Sequence, residues 1–213
     1  MRLLFDMDDV LENLSYVWVE WLNNKYGLNV ERESMREWEI YKYFPTLSRE
    51  QIYEPFALEE FWDTVTPLDG AVNTLEQLIR EGHNIFIVTS TNYRNIRIKM
   101  DRVLFKHFPF LTWDNVIVTN HKELVRGDIL FDDGLHNLSV PQFSSDMIRV
   151  VFDAPWNRGG DDLPLQDMVL RYVDYRVRSW DEVKELIHTI MERRRRTLFE
   201  IATKDLEKEN DNQ

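Results

Sequence analysis

The sequence of 213 residues contains no cysteine, and only seven of its residues are glycines. Without cysteine the chain can form no disulfide, no thiolate metal site and no cysteine nucleophile. None of the glycines belongs to a G-x-x-x-x-G-K-[ST] or G-x-G-x-x-G pattern, which excludes a P-loop and the usual dinucleotide-binding turn. The patterns His-Glu-x-x-His and Gly-x-Ser-x-Gly are missing as well. Any metal or phosphate chemistry must therefore use other groups.

Long apolar runs are also missing. No segment approaches the roughly 20 apolar residues that a membrane helix needs, and the chain reaches Asp6 too soon for the apolar region of a signal peptide. We therefore expect a cytoplasmic protein without a membrane partner. Hydrophobic residues still make up 43% of the chain, which is enough for a folded core.

Positive charge is scarce, since 26 basic side chains stand against 38 acidic ones and the formal net charge is -12. The resulting field repels polyanions, so we expect no nucleic acid polymer as a partner. The basic run 193–196 is flanked by Glu192, Glu200 and an acidic end, and we interpret it as a solvated helix face. A small anion could still bind at a compensated site.

Short β-rich segments alternate with helical patterns along the chain. The predicted strands are 2–6, 84–89, 115–118, 128–132 and 147–152. They are continuous apolar runs, which is typical of strands buried in a parallel sheet. Helical patterns lie near 70–82, 91–107 and 136–140, and Ser179-x-x-Glu182 predicts the start of a C-terminal helix. This order predicts an α/β fold, a three-layer Rossmann-like core around a parallel sheet.

Residues 12–69 interrupt this alternation, and the interruption is too long for an ordinary loop. The segment is rich in aromatic residues, so we interpret it as a small helical cap inserted after the first strand. The α/β core then comprises residues 1–11 and 70–203. We expect residues 204–213 to form a disordered tail.

Acidic residues follow two of the predicted strands. Asp6 and Asp8 follow the first strand, and Asp132 and Asp133 end the fourth. Because ligands bind at the carboxyl ends of parallel strands, these carboxylates should meet at one edge, where they repel unless a cation or a proton intervenes. Mg²⁺ prefers such oxygen ligands, so all four residues are candidate metal ligands. The alternative for either pair alone is an ordinary strand end that caps the next helix.

Three further polar residues follow predicted strands at the same edge. Thr89 and Ser90 follow the second strand, and Lys122 follows the third. Hydroxyl, backbone N–H and ammonium groups can hold phosphoryl oxygens. Taken singly, Thr89 and Ser90 are also compatible with helix capping and Lys122 with a surface lysine. Their joint order with the acidic pairs favours a phosphate site.

This order of motifs resembles the haloacid dehalogenase-like (HAD) phosphatase superfamily, and more closely its 5'-nucleotidase/5'(3')-deoxyribonucleotidase branch. The segments that carry the resemblance are 6–11, 61–62, 67–72, 88–90, 132–133 and 152–157. The resemblance implies that Asp6 is the nucleophile and Asp8 the general acid/base. It also implies that Thr89, Lys122 and the acidic pair at 132–133 bind phosphate and Mg²⁺.

The implied function is the Mg²⁺-dependent hydrolysis of a small phosphomonoester through an aspartyl-phosphate intermediate. The resemblance favours a nucleoside monophosphate as the substrate. Alternatives are a phosphatase for sugar phosphates, a phospho-receiver-like module and a non-catalytic binding domain. The late position of the acidic pair and the long insertion favour an enzyme over a receiver. Monomer and homodimer are both left open. Candidate substrate contacts in the cap are Leu14, Trp38, Tyr43, Phe44, Phe61 and Trp62. The helical spacing of Leu14 also fits a core position.

The chain departs from the family pattern at Asp9, where the family usually has glycine. We expect Asp9 to cap a helix that begins near Val10. The alternative places its carboxylate in the metal site.

Overall fold

The computed structural model describes residues 1–139, 147–158 and 173–211, with the side chains of Ala202 and 204–211 left aside. Six parallel strands form one sheet in the order β3-β2-β1-β4-β5-β6. The strands are β1 (Arg2–Phe5), β2 (Asn84–Thr89), β3 (Val116–Val118), β4 (Ile129–Asp132), β5 (Ile148–Phe152) and β6 (Tyr175–Val177). The strand order reverses between β1 and β4, which is where a sheet of this kind binds ligands.

Hydrophobic side chains cover both faces of the sheet. Leu3 and Phe5 of β1 belong to one buried cluster, and Leu4 between them belongs to another. Alternate residues of a strand point to opposite faces, so these clusters are the two sides of a three-layer α/β core. This confirms the predicted fold class. Within the residues that the structure describes, no helix has the length and hydrophobicity of a membrane span.

All five predicted strands are present, with bounds that differ by at most one residue. The sixth strand, β6, was not predicted. It has only three residues, of which Val177 alone is buried, so it lacks the continuous apolar run that marks the other strands.

The helices of the core also match the predicted segments. They are α4 (Ala71–Arg80), α5 (Ile96–Lys99), a π-helical turn (Met100–Leu104), α6 (Phe105–His107), α7 (Leu135–Leu138) and α8 (Trp180–Asp211). The helix predicted over 91–107 begins only at Ile96, and residue 140 of the segment predicted over 136–140 lies outside the described residues.

Only one of the two hydrogen bonds expected from the Ser179-x-x-Glu182 pattern is present at the start of α8. The hydroxyl of Ser179 accepts the Glu182 backbone N–H at 3.3 Å, whereas the Glu182 carboxylate accepts the backbone N–H of Arg178. The helix α8 continues to Asp211, into the segment 204–213 where we expected a disordered tail. Leucine, lysine and glutamate in this segment are good helix formers. Fraying of this end stays a prediction.

The segment 12–69 contains helices throughout. They are α1 (Leu14–Tyr26), α2 (Arg49–Tyr53), α3 (Glu59–Trp62) and three 3₁₀ turns (Arg32–Ser34, Ile40–Tyr43, Glu54–Ala57). Part of the segment packs into a small buried cluster, in which Leu22, Ile40 and Phe44 meet Ala154 and Trp156 from outside the segment. Its end, with Phe61 and Trp62, instead packs into the main core. We refer to residues 12–69 as the inserted segment.

Trp180 anchors the first residue of α8 to the loop after β1. Its indole is buried and lies 5.2 Å from the ring of Phe5, and its N–H donates to the carbonyl oxygen of Val10 at 2.9 Å. The loop that carries the acidic motif is thereby held against the core.

We predict that Trp180→Phe lowers the free energy of unfolding by about 1–3 kcal/mol, because the buried Val10 carbonyl loses its hydrogen bond. Urea denaturation measures this change. Trp113→Phe is the matched control, since Trp113 is 53% exposed and its replacement should change stability by about 0.5 kcal/mol or less. Equal effects of the two substitutions would contradict the anchoring role of Trp180.

Candidate active site

The predicted site residues meet at the carboxyl ends of β1 and β4, where the strand order reverses. Asp6 follows β1, and its backbone N–H donates to the carbonyl oxygen of Phe131 in β4 at 2.8 Å. Asp132 ends β4, and Thr89 ends β2 on the other side of β1. The edge predicted from the sequence therefore forms in the structure.

Lys122 lies between two of the acidic residues. Its Nζ atom is 2.7 Å from Oδ1 of Asp6 and 2.6 Å from Oδ2 of Asp132. Burial disfavours its charge, but the carboxylates of Asp132 and Asp6 raise its pKa above the ordinary value. The interpretation of Lys122 as a surface lysine is therefore wrong, because its side chain is only 1% exposed.

A second buried lysine, Lys99, was missed by the sequence reasoning. Its Nζ atom lies 2.6 Å from Oδ1 of Asp8 and donates to Oγ1 of Thr89 at 3.2 Å. Its side chain is as buried as that of Lys122. Two lysines thus flank the acidic motif, one bound to Asp6 and one to Asp8.

Helical spacing was the signal that could have found Lys99. It lies on the same helix face as three apolar residues, Ile96, Met100 and Val103. A lysine at the spacing of a buried stripe must bring its charge into the core, where it needs an anionic partner. The nearby acidic motif supplies that partner.

Three carboxylates form a buried oxygen cluster. Asp6, Asp132 and Asp133 each offer one oxygen, and these atoms lie within 4.8 Å of one another. Burial raises the pKa of Asp6 to about 7, with Lys122 opposing the shift. Burial and the neighbouring carboxylates raise the pKa of Asp133 well above its ordinary value. The cluster therefore carries charge that a cation or protons must offset.

The hydrogen bonds of the cluster leave room for a metal ion. One oxygen of Asp132 accepts from Gly134 and Asn137, and the other from Lys122. Asp133 Oδ2 accepts the indole N–H of Trp156, whereas Oδ1 is buried without a hydrogen-bond partner. An unpaired buried carboxylate oxygen in an all-oxygen cluster fits a hard divalent cation.

The carboxylate of Asp8 is not one of the three that have oxygens within 4.8 Å of one another, so its role as a metal ligand stays a prediction. Burial opposes its charge, but Lys99 beside it holds its pKa below the ordinary value. Glu12 lies fully buried beside Asp8, and burial together with the charge of Asp8 raises its pKa well above the ordinary value. Glu12 was not predicted, since a single acidic residue after an apolar run gives no signal.

Asp9 adopts the left-handed backbone conformation, with φ of 56°. This is the backbone region that favours glycine, the residue that the family resemblance implies at this position. Its carboxylate accepts the backbone N–H of Ser15 at 3.2 Å and pairs with Arg32 at 3.4 Å. The expectation that Asp9 caps a helix beginning near Val10 is therefore wrong, because α1 begins at Leu14 with Asn13 as its N-cap residue. The Asp9 carboxylate instead binds the first turn of α1 at Ser15.

Two cavities, each of about 320 Å³, open beside Asp8. Leu14 and Ser90 line both, Trp62 lines one and Trp38 the other. The further aromatic lining residues are Trp18, Tyr53, Phe56 and Trp156. The Ser90 hydroxyl donates to the carbonyl oxygen of Thr119 at 2.9 Å.

Three of the aromatic residues expected near the substrate line neither cavity. Phe44 and Phe61 are at most 1% exposed and belong to buried clusters. The hydroxyl of Tyr43 accepts backbone N–H groups of Arg36 and Glu37. The aromatic content of the inserted segment therefore does not show which of its residues belong to the core and which line a cavity.

Comparison with known proteins places the chain among nucleotidases. Residues 1–195 match the family described as "5' nucleotidase, deoxy (Pyrimidine), cytosolic type C protein". The 5'(3')-deoxyribonucleotidase of Bacillus subtilis (strain 168) is 27% identical over 180 residues, which cover 84% of this chain and 94% of the relative. The 5'(3')-deoxyribonucleotidase of Clostridium acetobutylicum is 29% identical over 185 residues, covering 87% and 93%.

A solved structure shares the fold. The HAD family hydrolase from Deinococcus radiodurans R1, determined with bound phosphate and sodium, covers 87% of this chain and 94% of its own. Its TM-score is 0.61 and its sequence identity 13%, so the likeness concerns the fold alone. The HAD-like α/β architecture is confirmed by this comparison.

We predict that Mg²⁺ binds about ten-fold more weakly at pH 6 than at pH 8, because protons compete for the ligand oxygens. The sign follows from Asp6, whose pKa of about 7 keeps it largely protonated at pH 6. Titration calorimetry with Mg²⁺ alone measures the affinity. Equal affinity at both pH values, or unchanged binding in Asp132→Asn, would contradict the metal site.

We predict that Asp9→Ala is less stable than Asp9→Gly by about 1 kcal/mol, because an alanine Cβ is strained at positive φ. Both variants lose the carboxylate that binds Ser15, so the pair isolates the backbone effect. Thermal and urea unfolding provide the measurement. Both should retain far more Mg²⁺ affinity than Asp132→Asn, and an equal loss would move Asp9 into the metal site.

Proposed function

The chain belongs to the cytosolic type C 5' nucleotidase family and is a phosphatase, and on this premise we propose that it hydrolyses nucleoside monophosphates with the help of Mg²⁺. The observation that carries the proposal is the pairing of Asp6 with Lys122 and of Asp8 with Lys99 at one sheet edge. The names of the two relatives support deoxyribonucleotides as substrates. The family description supports the expected cytoplasmic location.

Asp6 is the proposed nucleophile. Lys122 binds its Oδ1 atom, so the second oxygen can attack phosphorus. The new bond between Asp6 and phosphorus forms as the ester bond breaks, which gives an aspartyl-phosphate and the free nucleoside. Water then attacks this phosphorus, the bond to Asp6 breaks and inorganic phosphate leaves.

Asp8 is the proposed general acid/base. It protonates the leaving alkoxide in the first step and takes a proton from water in the second. The buried Glu12 lies beside it, and two adjacent buried carboxyls do not both ionise readily. The pair therefore holds one proton, which the raised pKa of Glu12 places on Glu12 and which Glu12 can pass to Asp8 before Asp8 donates it.

Four groups are candidates for binding the phosphate, namely the ammonium groups of Lys122 and Lys99 and the hydroxyls of Thr89 and Ser90. Lys99 lies between Asp8 and the Thr89 hydroxyl, and Ser90 lines both neighbouring cavities. Asp6, Asp132 and Asp133 would hold Mg²⁺. When bound, this ion supplies positive charge that reduces repulsion between the phosphate and Asp6.

The cavity walls favour a nucleotide over a sugar phosphate. Trp18, Trp38, Tyr53 and Phe56 provide flat apolar surfaces beside Asp8. Such surfaces suit a nucleobase, which can stack on aromatic rings. A sugar ring instead presents hydroxyl groups that need polar partners.

A phosphate-release screen tests the proposal. Deoxyribo- and ribonucleoside 5'- and 3'-monophosphates are compared with sugar phosphates, with Mg²⁺ and with a chelator. We expect turnover of deoxyribonucleotides that requires Mg²⁺. Turnover of sugar phosphates in preference to every nucleotide would overturn the substrate assignment.

We predict that Asp6→Asn lowers kcat by about a thousand-fold or more, because the near-isosteric amide cannot act as the nucleophile. Circular dichroism checks that the variant folds. Asp101→Asn is the matched control, since Asp101 is exposed and pairs with Arg97 across one helical turn. Activity close to wild type in Asp6→Asn would refute the nucleophile.

A further inference from the structure

Trp156 contacts Asp133, one of the three carboxylates of the proposed metal site. Its indole N–H donates to Oδ2 of Asp133 at 3.0 Å, and the indole is 8% exposed. The next residue, Asn157, donates to the backbone carbonyl of Asp133 at 2.9 Å. The 3₁₀ turn Pro155–Asn157 therefore holds both the side chain and the backbone of Asp133.

The ring of Trp156 contacts the inserted segment. The guanidinium carbon of Arg32 lies 4.8 Å from its ring centroid, and Trp38 meets it edge-on at 5.7 Å. Arg32 is itself fixed, because it lies over the ring of Tyr16 at 3.8 Å and donates to Glu33 at 3.0 Å. A continuous chain of contacts thus runs from the inserted segment through the indole to Asp133.

We propose that Trp156 is a positioning residue for Asp133, and that Arg32 holds its indole so that the inserted segment contributes to metal affinity. This inference rests on the proposed Mg²⁺ site. The indole N–H occupies Oδ2 of Asp133 and leaves the unpaired Oδ1 as the ligand oxygen. Hydrogen bonds that orient a metal ligand in this way support binding without touching the ion.

Trp156→Phe tests the first part, because phenylalanine keeps an aromatic ring but lacks the N–H donor. Titration calorimetry with Mg²⁺ alone should show a dissociation constant raised by about 10–100-fold. Trp113→Phe, at an exposed tryptophan, should leave it unchanged. An unchanged constant in folded Trp156→Phe would overturn the proposal, since a merely structural role lowers only the melting temperature.

Arg32→Gln tests the second part of the proposal. The direction in which Mg²⁺ affinity changes separates a positioning role of Arg32 from the direct effect of its charge on the ion. Removing a nearby positive charge would strengthen Mg²⁺ binding, whereas loss of support for the indole weakens it. We expect weaker binding, by several-fold. The matched control is Arg49→Gln, which removes an arginine lying 4.2 Å over Tyr41 elsewhere in the inserted segment and should change nothing. Unchanged or tighter binding in Arg32→Gln would overturn the link.

The binding measurement is independent of the substrate. A wild-type protein that binds Mg²⁺ but hydrolyses no nucleotide would defeat the proposed function and leave this inference standing. If the wild-type protein hydrolyses nucleotides but the Trp156→Phe variant binds Mg²⁺ equally well, the proposed function stands and this inference fails. Should Trp156→Phe fail to fold by circular dichroism, Arg32→Gln decides the outcome.

Discussion

The repulsion among carboxyl groups buried at one sheet edge is the constraint that shapes the active site. Asp6, Glu12, Asp132 and Asp133 are buried there, and Asp8 is close by. Two like charges 4 Å apart repel by about 4 kcal/mol at the effective dielectric constant of a protein surface. Lys99 and Lys122 offset part of this repulsion through direct ion pairs. Protons or a divalent cation must offset the rest, and the same excess of oxygen ligands makes the edge suitable for phosphoryl transfer.

The fold concentrates these groups by placing β1 at the point where the strand order reverses. Asp6 at the end of β1 then lies beside Asp132 at the end of β4, although the two are far apart in sequence. Trp180 holds the loop after β1 against the core, and the inserted segment contacts Trp156 through Arg32 and Trp38. Packing thus supports a charge arrangement that would not be stable alone.

Strand ends were predictable from the sequence because a buried strand is a continuous apolar run and its first polar residue marks the edge. Asp6, Thr89 and Asp132 follow this rule, whereas Lys122 comes four residues after the end of β3. Lys99 does not follow a strand, and its importance shows only when its helical spacing is combined with the acidic motif. The aromatic residues of the inserted segment were the least predictable. Phe44 and Phe61 are buried while Trp38 is half exposed, and tertiary packing alone decides between these outcomes.

The stereochemical course of hydrolysis tests most directly the central claim that Asp6 attacks phosphorus. The substrate is a nucleoside monophosphate whose phosphorus is made chiral with sulfur and oxygen isotopes. Each in-line displacement inverts the configuration, so attack by Asp6 followed by attack of water restores it. In water that carries the third oxygen isotope, the account predicts net retention in the released thiophosphate. Net inversion, the result of a single direct attack by water, would contradict it.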